Sequence, residues 1–530
     1  MVVAQEAIAA RIGVDVLKNG GNAVDAAVAV GFAMAVTYPR AGNVGGGGFM
    51  VIHRAGGDDA VIDYRETAPA AINATSFLDA QGNADPQKSR ESALAIGVPG
   101  TVAGLAMAEA KYGSGHFTLA ELIGPAIALA RDGIAVADDT ADSLPVDRAR
   151  LARWPSSARI FVKADGSALA PGDRVVQPDL AETLAAIAKD GPSAFYQGPV
   201  AAKLAAAVQS AGGVMTADDL KDYRAIERKP VRGSYRGYDI VSMPPPSSGG
   251  VALIEMLNIL EGYDLAKTER AQALFLMVET MKRAYADRAW FLGDPDRIQV
   301  PVARLTSKSY AAEWRATIDP AHATPASAIH AGGAVDREGH NTTHFSVIDR
   351  FGNAVSNTYT INFSYGVGLV AAGTGVLLNN ELDDFAAKAN APNAYGLLGD
   401  AANAPAPGKR PLSSMTPTIV LKDGKPFLVT GSPGGSFIIN IVLQVVTNVI
   451  DRGMDIASAV SAPRLHDQWM PDRVLAEPTL SSDLVAALRA RGDNVVVRPL
   501  ITSANSILVT PAGITGAADP RTRGALAAGY

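Results

Sequence analysis

The chain has 530 residues, of which 48% are hydrophobic and 19% charged, and its net charge at pH 7 is −6. This composition is typical of a globular protein with a large core, and an acidic balance without a long basic run argues against a nucleic-acid partner. The sequence contains no cysteine, which excludes disulfides, cysteine-based metal sites and a cysteine nucleophile.

The N-terminal part is rich in alanine and in helical periodicity. Residues 2–36 are predicted to form two helices separated at 19–22, and strands at 50–53 and 61–64 are predicted to form a hairpin around the turn 56–59. Further helices are predicted, in chain order, at 99–111, 117–132, 178–190, 194–212, 250–261 and 269–291. The segment 320–340 has little periodicity and is predicted to be an exposed loop, where a processing site would be reachable.

No targeting segment is visible at the start of the chain. Two apolar runs, 26–36 and 438–450, are too short or too often interrupted by polar residues to span a bilayer, and both are predicted to be buried helices. The absence of cysteine fits an exported bacterial protein. We therefore expect a periplasmic or secreted protein from which a leader has been removed, with no membrane span.

The character of the sequence changes after residue 342. Alternating residues predict strands at 344–349 and 354–361, joined by a hairpin turn at 350–353. Further strands are predicted at 375–378, 417–421, 427–430 and 507–510, and further helices at 436–451, 455–460 and 482–491. Helices that flank a sheet on both sides predict a layered α/β architecture.

A pair of threonines, Thr342 and Thr343, follows Asn341 at the start of the first of these strands. A threonine hydroxyl is a poor nucleophile unless a base accepts its proton, and an N-terminal threonine can use its own α-amine for this purpose. With a reference pKa of about 7.7–8.0, that amine is partly neutral at physiological pH. A threonine in mid-chain must first be released by cleavage of the preceding bond. The local pattern alone also fits an ordinary strand, because β-branched residues are common there.

Longer motifs carry a family resemblance. They are Gly20–Ala27, Gly45–Phe49, Asp63–Glu66, Gly97–Gly100, Asn379–Phe385, Pro411–Met415 and Gly431–Ser436. Together with Thr342 they resemble the γ-glutamyltranspeptidases, a family of N-terminal-nucleophile hydrolases, over essentially the full length. The resemblance implies an α/β fold of the four-layer αββα sandwich type. It also implies autocatalytic cleavage between Asn341 and Thr342, which yields a large subunit, 1–341, interwoven with a small subunit, 342–530.

The resemblance further implies roles for individual residues. Thr342 would attack the carbonyl carbon of Asn341 and, once free, the γ-carbonyl of glutathione or another γ-glutamyl compound. The acyl group would then pass to water, an amino acid or a short peptide. Thr360 would hydrogen-bond the nucleophile, and Gly434 and Gly435 would form an oxyanion hole, which needs backbone N–H groups unobstructed by a Cβ.

A glutamyl group carries a carboxylate and an ammonium on its α-carbon, so its pocket needs a cation together with anions. The residues that the resemblance assigns to this pocket are Arg65, Ser413 and Ser414 for the α-carboxylate, Asn362, Glu381 and Asp384 for the α-ammonium, and Tyr395 on a lid loop, 392–400. Taken singly, each is more often an ordinary surface or strand residue. No metal and no organic cofactor are implied.

Two alternatives stay open at this point. A cephalosporin or glutaryl acylase shares the scaffold and a similar nucleophile, but a glutaryl group lacks the α-ammonium, so such an enzyme has no use for Asp384. The second alternative is an uncleaved binding protein that keeps the pocket and turns nothing over. The full set of Thr342, Thr360, Gly434 and Gly435 argues against it.

Overall fold

The structure is a computed structural model that describes residues 1–329, 342–500 and 502–530. Two β-sheets pack face to face, and helices cover the outer face of each, which gives four layers in the order αββα. Apolar side chains fill the space between the sheets and the space under each helical layer. The prediction of a layered α/β fold is confirmed.

The first sheet contains seven antiparallel strands. In spatial order they are Leu526–Ala528, Val2–Ala4, Thr343–Ile348, Ala354–Thr360, Gly47–His53, Ala60–Asp63 and Ile226–Arg228. The hairpin of Thr343–Ile348 and Ala354–Thr360 therefore occupies the centre of the sheet. Its register pairs Thr343 with Tyr359.

The second sheet contains six strands, also antiparallel. In spatial order they are Gly513–Ala518, Asn505–Thr510, Lys425–Thr430, Thr418–Lys422, Tyr238–Ser242 and Val231–Tyr235. Smaller sheets pair Ile134–Ala135 with Arg174–Val175, Val370–Ala371 with Val376–Leu377, and Leu465–His466 with Val474–Ala476 and Val495–Val497. Both large sheets take strands from before residue 330 and from after residue 341, so neither part of the chain builds a sheet alone.

The helices form two groups along the chain. On the side of the first sheet lie Ala7–Lys18, Ala23–Thr37, Thr101–Tyr112, Leu119–Asp132, Asp138–Ala152, Pro155–Phe161, Pro178–Asp190, Ser193–Tyr196, Gly198–Ser210 and Ala217–Asp222. On the side of the second lie Gly249–Leu260, Arg270–Phe291, Val302–Leu305, Lys308–Ala316, Ala326–Ile329, Phe437–Ile450, Ile456–Ser461 and Ser482–Ala490. Single turns of π- or 3₁₀-helix occur at Gln87–Glu91, Ala93–Ala95, Glu381–Asp384 and Ala401–Asn403.

The two apolar runs are buried helices, as predicted. All fifteen residues of Ala23–Thr37 are buried, and its first turn is closed by a reciprocal pair of hydrogen bonds between Asn22 and Asp25. In Phe437–Ile450 the polar side chains of Asn440 and Gln444 are also buried, where both make hydrogen bonds. Within the described ranges, no helix has the length and apolar character that crossing a membrane requires.

Most of the predicted helices and both predicted hairpins are confirmed, but the assignment of residues 2–4 to a helix is wrong. Val2–Ala4 is a strand between Thr343–Ile348 and Leu526–Ala528, and the helix begins only at Ala7, where the carboxylate of Glu6 accepts two backbone N–H groups. Pairing with strands more than 300 residues away decides this conformation, and no local pattern reveals it. The predicted loop 320–340 is described only as far as residue 329.

Candidate active site

Thr342 lies immediately before the central strand Thr343–Ile348 and is 6% exposed. It contacts a cavity with about 260 Å³ of empty space, including its opening. The lining residues are Arg65, Thr342, Thr360, Asn362, Glu381, Asp384, Tyr395, Ser413, Ser414, Met415, Gly435 and Ile438. This cavity, here called the Thr342 pocket, therefore brings together ten of the residues singled out from the sequence. Asn341 lies outside the described residues.

A second cavity lies against Thr342 and Gly434, and is also lined by Arg40 and Arg521. Gly434 thus meets Thr342 from this side, whereas Gly435 meets it from the Thr342 pocket. The two glycines flank Thr342, which has space on both sides.

Strand register places Thr360 beside Thr342. Because Thr343 is paired with Tyr359, one further step along both antiparallel strands puts Thr360 next to Thr342. The Thr360 hydroxyl oxygen accepts the backbone N–H of Asn362 at 2.8 Å. This bond fixes the side chain at the end of its strand, where it lines the Thr342 pocket.

The predicted oxyanion-hole glycines precede the helix Phe437–Ile450. Both have positive φ, 129° at Gly434 and 56° at Gly435, a conformation that favours glycine. A Cβ at position 435 would lie 2.3 Å from the ring of Tyr395, so this position also has no room for a side chain. The start of a helix carries free N–H groups and partial positive charge, which suits a developing oxyanion.

Arg65 and two carboxylates form a charged cluster at the base of the Thr342 pocket. The buried guanidinium donates to Glu381 Oε1 and to Asp384 Oδ2, and its Nε donates to the carbonyl oxygen of Pro411 at 3.1 Å. The cation predicted for an α-carboxylate and the anions predicted for an α-ammonium are therefore paired with one another in the Thr342 pocket. A ligand bearing both charges matches both signs.

Burial raises the pKa of Glu381 to about 7, against the lowering influence of Arg65. Burial also raises the pKa of Asp384, and Arg65 again opposes the shift. Glu66, next to Arg65 in the chain, is fully buried, and its pKa is raised by burial and by the nearby charge of Glu381. The cluster thus holds protons to higher pH than isolated carboxyl groups do.

This pKa shift predicts a pH dependence for ligand binding. A carboxyl whose pKa is raised stays neutral up to a higher pH, so below about pH 7 Glu381 is protonated and attracts an α-ammonium less strongly. We expect the inhibition constant of L-glutamate to fall as pH rises from about 6 to about 8. Inhibition measured across this range checks it, with Glu381→Gln as the control that flattens the profile. An unchanged slope in the variant would assign the dependence to another group.

The loop that carries Tyr395 packs against the Thr342 pocket, and Tyr395 lines it. The Tyr395 hydroxyl donates to Asn362 Oδ1, and Asn362 Nδ2 donates to the carbonyl oxygen of Asn380 at 2.9 Å. The loop is held by Ala394 N–H donating to Asp383 Oδ2 at 3.0 Å. Asn362 itself has a φ of 70°, unusual for a residue other than glycine. These contacts support the prediction of a lid.

Removing the lid hydroxyl is expected to weaken closure only modestly. In Tyr395→Phe the ring still covers Gly435, but the bond to Asn362 is lost, and a single hydrogen bond of this kind contributes about 0.5–1.5 kcal/mol. We expect a KM increase of about 2- to 10-fold with little change in the rate of self-cleavage. Steady-state kinetics and a denaturing gel measure both. A loss as large as that of a nucleophile variant would show that the hydroxyl takes part in the chemistry.

The two serines of the Thr342 pocket are held from behind by the loop before helix Gly249–Leu260. Ser248 donates its backbone N–H and its hydroxyl to the carbonyl oxygen of Ser413, at 2.8 and 2.7 Å. The Ser414 hydroxyl oxygen accepts from Arg288 Nη2 at 3.2 Å. Sequence reasoning missed Ser248 and Arg288, since neither lies in a motif singled out for chemistry. Glu66 could have been found from the sequence, because it directly follows Arg65 in the same motif.

In the part of the chain that the structure describes, no group of three histidine, cysteine, aspartate or glutamate side chains is arranged to hold a metal ion. The groups that line the Thr342 pocket include hydroxyls, the backbone of Gly435 and a charged cluster. Such a site can carry out acyl transfer through a covalent intermediate.

Comparison with known proteins agrees with this geometry. A family profile described as Gamma-glutamyltranspeptidase matches residues 9–529. A glutathione hydrolase proenzyme of Escherichia coli (strain K12) is 50% identical over 534 residues, which cover 100% of this chain and 92% of that protein.

Two solved structures show the same architecture. A cephalosporin acylase from Bacillus halodurans superposes with a TM-score of 0.86 at 27% identity, over 100% of this chain and 95% of that one. A γ-glutamyltranspeptidase from Helicobacter pylori superposes with a TM-score of 0.60 at 46% identity, over 61% of this chain and 93% of that one. The fold is thus that of the N-terminal-nucleophile hydrolases, which includes both enzyme types.

Proposed function

The chain belongs to the γ-glutamyltranspeptidase family, and from that premise we propose how its residues perform the glutathione hydrolase reaction. Thr342 is the nucleophile, Thr360 its hydrogen-bonding neighbour, and Gly434 and Gly435 the oxyanion hole. The observation that carries the proposal is the Thr342 pocket, where a threonine at a strand start shares a cavity with the buried cation of Arg65, the buried carboxyl group of Glu381 and the partly buried carboxyl group of Asp384.

The first reaction is self-cleavage. The Thr342 hydroxyl attacks the carbonyl carbon of Asn341, the acyl group moves from nitrogen to oxygen, and water hydrolyses the resulting ester. The products are a large subunit, 1–341, and a small subunit, 342–530, whose first residue carries a free α-amine. Because both sheets contain strands from each part, the subunits stay interlocked after the cut.

The second reaction is acyl transfer from a γ-glutamyl donor such as glutathione. The α-amine of Thr342 takes the proton of its own hydroxyl, which attacks the γ-carbonyl carbon. The N–H groups of Gly434 and Gly435 stabilise the oxyanion, and the leaving amine departs with the proton. Water then hydrolyses the acyl-enzyme, or the amine of an amino acid or short peptide accepts the acyl group. The second cavity provides space for this incoming group beside Thr342.

The charges of the Thr342 pocket select the donor. Arg65, with the hydroxyls of Ser413 and Ser414, suits an α-carboxylate, whereas Glu381 and Asp384 suit an α-ammonium. A glutaryl group brings a carboxylate without an ammonium, so it would leave the two acids of the pocket facing an additional anion. This argues for a γ-glutamyl donor over the acylase alternative, although the cephalosporin acylase shares the fold.

The experiment that tests the donor compares anilide release from γ-glutamyl-p-nitroanilide and glutaryl-p-nitroanilide by the purified protein. We expect strong preference for the γ-glutamyl compound. Preference for the glutaryl compound would establish the acylase reading. Binding of glutamate without release from either anilide would establish the third reading, a non-catalytic binding protein.

We also propose that the protein works in the periplasm or outside the cell. The absence of cysteine is compatible with an exporting bacterium, and glutathione hydrolase there would act on extracellular γ-glutamyl compounds. The proposed chemistry uses the chain's own groups and needs no cofactor. Fractionation of the native host followed by detection of the two subunits tests the location.

A further inference from the structure

Arg288 is a buried arginine that forms no ion pair with any residue that the structure describes. It lies on the helix Arg270–Phe291 and is 4% exposed. Its Nε donates to the hydroxyl of Ser248 at 3.0 Å, and its Nη2 donates to the hydroxyl of Ser414 at 3.2 Å. Both partners are neutral, and no described carboxylate lies within ion-pair distance of the guanidinium.

A buried cation paired only with neutral groups is costly. Burial lowers the pKa of Arg288 to about 10, which the negative charge of Asp384 only partly offsets. Arg65 shows the contrast, because it is equally buried but bonded to two carboxylates. The guanidinium of Arg288 is separated from the Thr342 pocket by the hydroxyl group of Ser414, which lines that pocket.

Counting charges shows what would balance it. Around the pocket stand two guanidinium groups, Arg65 and Arg288, and three carboxyl groups, Glu66, Glu381 and Asp384, but all three carboxyl groups lie within ion-pair distance of Arg65. An incoming α-ammonium competes for Glu381 and Asp384, and an incoming α-carboxylate then finds its cations in Arg65 and Arg288. The zwitterionic ligand leaves every buried charge with an opposite neighbour.

We propose that Arg288 is a positioning residue of the α-carboxylate site, which acts through Ser414. By donating to the Ser414 oxygen, Arg288 leaves that hydroxyl free to donate its own hydrogen into the pocket, and it adds positive potential behind it. Arg288 does not itself line the Thr342 pocket. The proposal rests on the proposed function, because it takes the ligand to be the α-carboxylate of a γ-glutamyl donor.

Ser248 completes the arrangement. It accepts from Arg288 and donates to the carbonyl oxygen of Ser413, so one side chain connects the buried cation to the backbone of the serine pair. The same loop thereby sets the position of both serines and of the guanidinium. A change at Arg288 is therefore expected to affect carboxylate recognition before it affects the chemistry at Thr342.

The test removes the charge of Arg288 in the enzyme and the carboxylate in the substrate. Arg288→Met and wild type are assayed with γ-glutamyl-p-nitroanilide and with 4-aminobutanoyl-p-nitroanilide, which lacks only the α-carboxylate. In Arg288→Met we expect KM for the γ-glutamyl compound to rise about 10- to 100-fold, with kcat nearly unchanged, because a lost bond to a charged group weakens binding by this factor. The kinetic constants for 4-aminobutanoyl-p-nitroanilide should stay the same.

Arg283→Met is the matched control. Arg283 is a buried arginine on the same helix, but it is paired with Glu279 and bonds to Thr317, away from the pocket. This variant should lower the melting temperature without changing the preference between the two anilides. If Arg288→Met does not fold, Arg288→Lys is used in its place, since lysine keeps the positive charge but lacks the planar guanidinium that bonds to Ser248 and Ser414 together. It should raise KM for the γ-glutamyl compound alone.

Two outcomes would overturn the proposal. One is an unchanged KM for the γ-glutamyl compound, and the other is a parallel loss with both anilides, which would mean that Arg288 only supports the fold. Neither result would contradict the proposed function, provided that the wild-type protein prefers γ-glutamyl-p-nitroanilide. Absence of that preference in wild type would instead refute the assignment of the pocket to a γ-glutamyl group.

Discussion

Thr342→Ala is expected to give a single uncut chain of 54.8 kDa whose anilide release is at least about 10³-fold below that of wild type. The variant lacks the hydroxyl that attacks the preceding carbonyl carbon, so neither the small subunit nor the free α-amine is formed. Even a trace of cut protein would lack the nucleophile. A denaturing gel, mass spectrometry of the subunits and the γ-glutamyl anilide assay measure these losses.

Thr343→Ala is the matched control for this experiment. Thr343 is the next residue, is fully buried in the same strand, and its hydroxyl makes no hydrogen bond to any part of the chain that the structure describes. We expect this variant to be cut and active. Thr342→Ser, which keeps a hydroxyl, should also be cut.

Two observations would contradict the assignment of Thr342. Wild-type protein that stays as one chain on the gel would remove the basis for an N-terminal nucleophile. Activity that survives in Thr342→Ala would place the nucleophile at another residue of the pocket, of which Thr360 is the nearest candidate by strand register.

Asp384→Asn is expected to lower kcat/KM for γ-glutamyl-p-nitroanilide by about 30-fold or more. Truncating one partner of a buried charge pair typically costs about 2–5 kcal/mol, and here the α-ammonium loses its counter-ion. The same change removes a negative charge that opposes the lone carboxylate of a glutaryl group. We therefore expect kcat/KM for glutaryl-p-nitroanilide to stay constant or rise, which would shift the preference toward the acylase reaction.

The Asp384 variant also changes the pocket without its ligand, because Asp384 is bonded to Arg65. Asp384→Glu controls for this effect, since it keeps a carboxylate near the guanidinium and should lose less γ-glutamyl activity than the amide does. An equal loss of kcat/KM for both anilides in Asp384→Asn would mean that Asp384 maintains the shape of the pocket and does not bind the α-ammonium. Subunit formation, followed on a gel, separates a failure of self-cleavage from a failure of binding.

Local sequence predicted the elements that depend on local forces. The hairpin of Thr343–Ile348 and Ala354–Thr360 follows from alternation and a turn signal, and the helix Pro178–Asp190 follows from its periodicity. By contrast, the strands Val231–Tyr235 and Tyr238–Ser242 were not predicted. Each has only five residues, and Tyr238–Ser242 also pairs with Thr418–Lys422, which is far away in the chain.

The same division holds for the site. The sequence by itself determined the family, and the resemblance in its motifs predicted the candidate site residues, ten of which line one pocket. Only the tertiary structure decided how the charges meet. Arg65 and Glu381 are 316 positions apart, and Arg288 reaches Ser414 across 126 positions. Such contacts are set by the packing of sheets and helices. The interaction energy of a buried charge and its pKa depend on these neighbours and on the exclusion of water. Neither is encoded in any local stretch of the chain.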